Sequence, residues 1–217
     1  MKSFTVNSFF TLVAVLFCTN GKLYAQKNYD YQDTRKKNES FARLQPHDVR
    51  SDVATFTLSG ISESVGALPL AKINYTNFGN GFMEFVGGGI KVSVHTAPFD
   101  SSKHKLQFDE KYLIKIDKRP YYGNYGNIPL TTISNITMTV DGDTVVIPEF
   151  AYNDLHNINF EYTNKGVKRT TNGVYRSKDG HRIYIYLFSK DNSGSYEVTW
   201  IIQDKKYLRR VLDYGFM

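Results

Sequence analysis

Three tyrosines lie in one short loop that is otherwise rich in glycine and asparagine, Pro120-Tyr121-Tyr122-Gly123-Asn124-Tyr125-Gly126-Asn127. Tyrosine offers a stiff apolar face and a hydroxyl group at a low entropic cost, which is why binding loops use it. Sugar rings could stack on Tyr121, Tyr122 and Tyr125 while Asn124 bonds their hydroxyl groups. The alternative is that the same rings fold back over the protein core. The pattern predicts these four residues as the candidate ligand-binding residues.

Two histidines, His95 and His104, bracket a second loop that also contains Asp100. Two imidazoles and a carboxylate could bind a divalent metal ion and leave one position open for water. The spacing matches no known metal motif, however, and Lys103 and Lys105 beside His104 would repel a cation. We therefore expect solvated loop histidines, with no metal site and no cofactor. The remaining histidines have no evident partner in the sequence: His47, His156 and His181.

Close carboxylate pairs occur at Asp109-Glu110 and at Asp141 and Asp143. The second pair flanks Gly142 in a tight-turn pattern, where aspartate is favoured for its local hydrogen bonds. A glycosidase pair would have to be set across a cleft by the fold. The chain has no Gly-x-Ser-x-Gly elbow, and its glycine run at 87–89 precedes a strand pattern rather than a helix. The sequence thus predicts no catalytic residue.

Residues 1–25 have the three parts of a secretory signal. Lys2 supplies the positive start, residues 9–18 form an almost unbroken apolar run, and a more polar stretch follows. A membrane-spanning helix needs about 20 apolar residues, roughly twice what is present. We expect cleavage between Ala25 and Gln26, and export to the periplasm or the cell exterior in a soluble or peripherally envelope-attached form.

Cys18, the single cysteine of the chain, would leave with this signal. Phe17 before it is too bulky for lipoprotein processing, so we do not predict a lipid anchor. The mature chain would then contain neither a disulfide nor a catalytic thiol. No second long apolar run follows, so the sequence predicts no transmembrane helix.

The formal net charge of +6 is spread along the chain. Basic residues alternate with acids, and the one compact basic run, Arg35-Lys36-Lys37, is followed by Glu39. This pattern favours a slightly basic surface suited to anionic lipid or glycan. Nucleic acid is not predicted as a partner.

The mature chain divides at residue 50. Residues 26–50 are polar and poor in aliphatic side chains, which predicts a flexible leader. Residues 51–217 are predicted to form a single β-rich domain, because apolar and polar residues alternate from Val53 onward, as in strands with one buried face. The clearest alternating runs are 54–58, 90–94, 112–116 and 136–140.

The last third of the chain predicts a β-meander. Its strands are expected at 173–178, 181–188, 196–203 and 206–214. Asp141-Gly142 and Asp179-Gly180 lie between strand patterns, and Asp-Gly accepts the positive φ angles that a two-residue hairpin needs.

Strand 181–188 is apolar on both faces, with three aliphatic residues on one and three aromatic residues on the other. We expect it to be central in its sheet, the alternative being an exposed aromatic contact patch. One short helix is predicted to begin at Pro148, because Ala151, Leu155 and Ile158 follow at helical spacing.

Aromatic residues make up 15% of the chain, and Thr, Ile and Val are common, a composition that favours strands. We predict a mainly β fold, either all-β or strand-dominated α+β. Its expected form is an antiparallel two-layer sandwich or an open barrel, with a C-terminal meander and at most one or two short helices.

One face of the last predicted strand is apolar: Leu208, Leu212, Tyr214 and Phe216. This pattern resembles the C-terminal signal of outer-membrane β-barrel proteins, in which alternating apolar residues end in an aromatic. The resemblance implies a small outer-membrane barrel. Met217 follows the aromatic, and Arg210 interrupts the lipid-facing row, where an arginine near the bilayer midplane costs about 2–4 kcal/mol.

Three functions follow as hypotheses. The first is an exported, non-enzymatic module that binds a glycan or an envelope protein through the tyrosine loop. The second is a secreted or periplasmic hydrolase of envelope polymers, which would need acids or histidines brought together by the fold. The third is the small outer-membrane barrel.

Overall fold

The computed structural model describes residues 35–45, 47–62 and 70–216. The predicted signal peptide, its cleavage site at Ala25–Gln26, Cys18 and the first part of the predicted leader lie outside these described residues. They remain predictions from the sequence.

Within these ranges the chain forms two short α-helices, α1 (His47–Ala54) and α2 (Leu58–Ser62). Single 3-10 turns lie at Lys37–Glu39, Phe41–Arg43, Ser101–Lys103 and Glu149–Ala151. The strands are β1 (Ala71–Ile73), β2 (Tyr75–Gly79), β3 (Phe82–Gly87), β4 (Ile90–Pro98), β5 (Leu106–Asp109), β6 (Tyr112–Ile116), β7 (Thr131–Val140), β8 (Asp143–Thr144), β9 (Tyr162–Asn164), β10 (Val167–Arg169), β11 (Gly173–Arg176), β12 (Arg182–Asp191), β13 (Gly194–Gln203) and β14 (Lys206–Tyr214).

The strands build two open five-stranded sheets with antiparallel neighbours. The first has the order β1-β11-β12-β13-β14, and the second has the order β2-β3-β4-β7-β8. Two small ribbons pair β5 with β6 and β9 with β10. Over the described residues, this arrangement confirms the predicted mainly β, sandwich-like fold with a C-terminal meander and at most two short helices.

The main core contains the inward-facing side chains of both sheets. The first sheet contributes the aliphatic face of β12 and residues such as Trp200 of β13, and the second contributes residues such as Phe85 and Val92. The indole N–H of the buried Trp200 donates to the carbonyl of Ala151 at 2.9 Å, so its polar atom is satisfied.

Strand β12 is central in its sheet and buried on both faces, as predicted. Its second face carries Tyr184, which packs with Ile201 and Val211 of the neighbouring strands in a second core cluster. The cover over this face is the N-terminal segment, whose Phe41 and Val53 belong to the same cluster. The aromatic face is therefore an internal surface along most of its length.

This packing differs from the flexible leader predicted over 26–50. In the part that the structure describes, Phe41, Leu44 and Val49 are almost fully buried. Polar residues of the segment also bind the sheet, since Asp48 accepts a hydrogen bond from Arg182. The segment has few aliphatic residues, but they are placed where each meets the sheet, and average composition does not reveal this.

The strand predicted from the alternation at 54–58 is wrong, because α1 ends at Ala54 and α2 begins at Leu58. Thr57 accounts for the difference. Its hydroxyl donates to the carbonyl of Val53 at 3.0 Å and accepts from the N–H of Gly60 at 3.1 Å, so it closes one helix and starts the next.

The helix predicted from Pro148 is also wrong, since only the 3-10 turn Glu149–Ala151 forms there. Ala151, Leu155 and Ile158 are buried as expected, but on an irregular segment. The carbonyl of Ala151 accepts from Trp200 and Arg210 instead of a helical N–H. Tertiary hydrogen bonds thus replace the helical ones.

The structure confirms the predicted two-residue hairpin at one of the two Asp-Gly pairs but not at the other. Asp141 and Gly142 have φ angles of 53° and 87°, which confirms the two-residue hairpin between β7 and β8. Asp179 and Gly180 lie in a wider loop that is closed by the N–H of Ser177 donating to the carbonyl of Arg182 at 2.9 Å. The predicted two-residue form is wrong at that position.

The apolar face predicted for the last strand is broken by a β-bulge. Ile201 pairs with Arg209 and Ile202 pairs with Tyr207, so Leu208 is the extra residue. Leu208 is consequently 51% exposed, whereas Leu212 is buried.

Candidate functional site

Two depressions lie beside segment 158–162, and we call them together the 158–162 groove. It consists of two depressions that share Asn159, Phe160 and Glu161. Their volumes are about 330 Å³ and about 270 Å³. The first depression by itself is at the lower end of the size range of sites for small organic ligands.

The first depression is mainly aromatic. Phe160, Tyr162 and Phe188 line it, together with Thr171 and Lys190. It exists because β11 begins only at Gly173, while β12 continues to Asp191 and leaves the end of β12 without that neighbour. Segment 159–162 and Thr171 lie alongside this end instead.

Asn172 holds the walls of this depression together. Its side-chain carbonyl accepts from the N–H of Phe188 at 2.9 Å, and its amide donates to the carbonyl of Asn159 at 3.0 Å. Asn172 itself is buried. A buried amide with partners on both walls fixes their separation before any ligand arrives.

The second depression is more polar. The β2–β3 turn contributes Asn80, the end of β4 contributes Thr96, and the start of β7 contributes Thr131. The hydroxyl of Thr96 donates to the carbonyl of Gly81 at 3.3 Å, so the turn is held against β4. Amide and hydroxyl groups therefore continue the groove beyond its aromatic part.

The groove presents aromatic surface to solvent at Tyr162, which is 45% exposed, and at the half-buried Phe188. Among the described residues that line the groove, Glu161 is the only carboxylate. Lys168 donates to Glu161 at 2.8 Å, which leaves a paired rather than an isolated charge. Aromatic faces beside neutral hydrogen-bonding groups suit a sugar ring, which has both C–H faces and hydroxyl groups.

The tyrosine loop predicted as the binding site packs into the protein instead of lying open. Tyr121 and Tyr122 are buried. The hydroxyl of Tyr121 donates to the carbonyl of Leu113 at 3.1 Å and accepts from the N–H of Gly126 at 2.9 Å. Both rings are thus covered by the chain itself, and their burial does not favour the stacking role predicted for them.

The other two predicted residues, Asn124 and Tyr125, are half-buried. The amide side chain of Asn124 donates to the carbonyl of Ile128 at 2.8 Å, and its backbone N–H donates to Asp191 at 2.6 Å. The guanidinium of Arg35 lies 3.7 Å from the centre of the Tyr125 ring. The loop is thus tied to the β12–β13 hairpin and to the N-terminal segment.

The structure gives His95 and His104 separate partners. His95 Nε2 lies 2.7 Å from the hydroxyl of Ser93, and His104 Nδ1 lies 2.7 Å from the carboxylate of Asp117. The carboxylate of Asp100 binds the N–H of Ser102 instead. In the described ranges, no three His, Asp or Glu side chains come together as a metal site.

His156 is a buried histidine that the sequence did not single out. Both of its ring nitrogens lack a hydrogen-bond partner among the described residues. Its ring lies edge-on to Phe99 and to Tyr121, with centroid distances of 5.1 Å and 5.9 Å. Burial lowers the pKa of His156 to about 4, so the ring is neutral at physiological pH.

Two buried carboxylates, Asp52 and Glu197, lie between the N-terminal helices and the first sheet. Asp52 accepts from the hydroxyl of Tyr184, and Glu197 accepts from that of Tyr186 at 2.9 Å. Glu197 also accepts from the N–H of Leu58 at 2.8 Å, at the start of α2. Burial raises the pKa of both carboxyl groups. Their partners identify them as anchors for the helices.

The sequence contained one partial signal for the groove. Phe188 belongs to the aromatic face of the strand predicted at 181–188, for which an exposed contact patch was the alternative. Phe188 is the half-exposed member of that face, whereas Tyr184 and Tyr186 are covered. Asn159, Phe160 and Tyr162 had no local signal, because only the tertiary fold brings their segment to β12.

Comparison of the chain with protein-family models, with curated proteins and with solved structures found no match. In the described ranges, no helix combines the length and the apolar composition that crossing a bilayer requires.

Proposed function

We propose that this chain is an exported, non-enzymatic binding module and that its 158–162 groove holds a glycan. The observation that carries the proposal is the juxtaposition of Tyr162 and Phe188 with the amide and hydroxyl groups of the adjoining polar depression. A short oligosaccharide could place one ring against the aromatic part and bond its neighbour through Asn80 and Thr131.

Two further features support a module that binds a glycan without cleaving it. The groove is braced in advance by Asn172, and a preformed site loses less entropy when it binds a ligand. A hydrolase of glycans uses two carboxyl groups set across the scissile bond. The single carboxylate among the described lining residues, Glu161, is held by Lys168.

Export rests on the signal pattern in residues 1–25. Expression with the native N-terminus in a bacterial host, followed by fractionation and N-terminal sequencing, tests this part independently. We expect a mature protein that begins at Gln26. An intact N-terminus on cytoplasmic protein would contradict export without affecting the groove.

The groove is tested by the substitutions Tyr162→Ala and Phe188→Ala. A glycan array selects an oligosaccharide, and calorimetry then measures its affinity for each variant. We expect each substitution to weaken binding about two- to tenfold, because a lost stacking contact is worth about 0.5–1.5 kcal/mol.

The matched control is Tyr75→Ala. Tyr75 and Tyr162 are both 45% exposed, but Tyr75 lies outside the groove. Its replacement should leave glycan affinity unchanged. The proposal fails if no oligosaccharide binds, if Tyr75→Ala weakens binding as much as Tyr162→Ala does, or if bound oligosaccharide is cleaved to new reducing ends.

A further inference from the structure

The guanidinium of Arg35 lies among three tyrosine rings, which we call the tyrosine cage: Tyr122, Tyr125 and Tyr214. Its central carbon is 3.7 Å from the ring centre of Tyr125, 4.1 Å from that of Tyr214 and 5.9 Å from that of Tyr122. Each distance is within the range at which a ring face attracts a cation.

The cage is built by parts of the fold that do not depend on Arg35. Tyr214 ends β14, the last strand of the first sheet. The Tyr122 and Tyr214 rings contact each other, with centroids 5.7 Å apart. The backbone N–H of Tyr122 donates to the carbonyl of Asp154 at 2.9 Å, and that of Asn124 donates to Asp191 at 2.6 Å. The cage residues therefore have contacts other than those with the Arg35 side chain, and the Tyr125 ring also lies beside that of Tyr121, with centroids 6.1 Å apart.

Arg35 occupies the position that the three rings surround. Beside it lies a cavity of only about 10 Å³, which is lined by Tyr125 but by neither Tyr122 nor Tyr214. Asp191 also lines this cavity, and its carboxylate accepts hydrogen bonds from the N–H of Asn124 and from Ser193. Removing the guanidinium would open a small, electron-rich space.

We propose that the tyrosine cage is a binding site for a quaternary ammonium group and that Arg35 closes it by occupying it. A quaternary ammonium ion donates no hydrogen bond, so it is held through ring faces and through charge, which are what the cage offers. The hydroxyl of Tyr214 donates to the backbone carbonyl of Arg35 at 3.2 Å, which holds the Arg35 backbone beside the cage. This site is separate from the 158–162 groove in its residues and in its ligand.

The test compares wild-type full-length chain with Arg35→Ala, using tetramethylammonium as the probe and calorimetry as the measurement. We expect the variant to bind the probe about tenfold more tightly than the wild type does, because the competing guanidinium is gone. Adding Tyr214→Ala to Arg35→Ala should remove this gain. Arg50→Ala is the matched control, since Arg50 lies over a different ring, that of Phe41, at 4.8 Å.

A second series distinguishes the sources of the ligand. The Arg35→Ala variant is tested for binding to free choline and to phosphatidylcholine vesicles. Binding of either ligand that is lost when Tyr214→Ala is added supports the proposed quaternary ammonium site. If Arg35→Ala fails to fold, Arg35→Val keeps part of the aliphatic packing, is too short to fill the cage and serves in its place. Equal probe affinity of the wild type and the folded variant overturns the proposal, as does a folded variant that binds no probe.

Discussion

Arg210 and Asp154 are joined by two parallel hydrogen bonds, from Nη1 to Oδ1 at 2.6 Å and from Nη2 to Oδ2 at 2.7 Å. Arg210 Nε also donates to Glu39 at 2.8 Å. One buried guanidinium thus connects the edge strand β14, the loop that carries Asp154 and the N-terminal segment. In the sequence this arginine only interrupted an apolar row, whereas in the fold it connects three parts of the chain.

Replacing Arg210 with alanine should strongly destabilise the protein. Removing one partner of a buried ion pair leaves the other charge uncompensated and costs about 3–5 kcal/mol. Urea unfolding followed by circular dichroism measures the loss. Lys205→Ala is the control, because Lys205 pairs with Asp143 at an exposed position at 2.7 Å. Its effect should stay below about 1 kcal/mol. Equal losses in the two variants would contradict this account of Arg210.

Replacing Gly123 with alanine should cost more stability than the same change at Gly142. The two glycines have nearly the same φ angles, 88° and 87°, so both variants suffer the left-handed strain of about 1–2 kcal/mol. A Cβ atom at Gly123 would lie 2.1 Å from the carbonyl oxygen of His156. A Cβ atom at Gly142 would have no described heavy atom within 4 Å apart from those of Gly142 and its two chain neighbours. Thermal unfolding of both variants measures the difference. Similar melting temperatures would show that the tyrosine loop is not held tightly against His156.

Stability should fall as the pH drops from 6.5 towards 4, because of His156. The unfolded chain protonates this ring below its ordinary pKa of 6.5, but burial holds the folded pKa at about 4. The unfolded state therefore binds more protons in this window, and the loss reaches about 3 kcal/mol at its lower end. His156→Phe should abolish this component, since the new ring packs with Phe99 and has no nitrogen to protonate.

His181 provides a control of opposite sign for the same pH titration. It is exposed, and its hydrogen bond to Asp204 at 2.7 Å raises its pKa. Its contribution is complete below the unfolded pKa and is lost as the pH rises through the folded pKa. His181→Ala should therefore remove a small stabilisation at acidic pH and leave the acid-induced loss in place. If His156→Phe keeps the full pH dependence, another group causes it.

Replacing Phe41 with alanine should show that the N-terminal segment is part of the folded unit. Phe41 is almost fully buried against the first sheet, and truncation of a buried phenylalanine costs about 3–5 kcal/mol. Phe150→Ala is the matched control, because Phe150 is 65% exposed. A surface change of this kind should alter the free energy of unfolding by about 0.5 kcal/mol or less. A flexible leader would instead make the two variants alike in urea unfolding.

Local pattern was a reliable guide along the meander. Its strands from Gly173 to Tyr214 were predicted nearly to their boundaries although β12 and β13 are buried on both faces, because residue types that alternate with period two indicate an extended chain. The Asp141-Gly142 hairpin was equally local, since its two positive φ angles are properties of the turn itself.

Local pattern failed where partners are distant in the sequence. Alternation at 54–58 predicted a strand, yet Thr57 and the buried Glu197 stabilise helical turns there. The carbonyl of Ala151 binds Trp200 and Arg210, so the helix expected after Pro148 does not form. Hydrogen bonds with remote strands add to the local bonds of Thr57 in the first place and replace the helical bond of Ala151 in the second.

The amino-acid sequence by itself determined that strands dominate and where the longest of them lie, because both depend on neighbouring residues one or two positions apart. The tertiary structure alone decided that Tyr121 and Tyr122 turn inward, that Phe188 meets segment 159–162, and that Arg35 enters a cage of three rings. Each of these contacts joins residues separated by a chain reversal or by a whole sheet. These contacts are selected by the free energy gained when surfaces that touch only after the sheets have packed are removed from water.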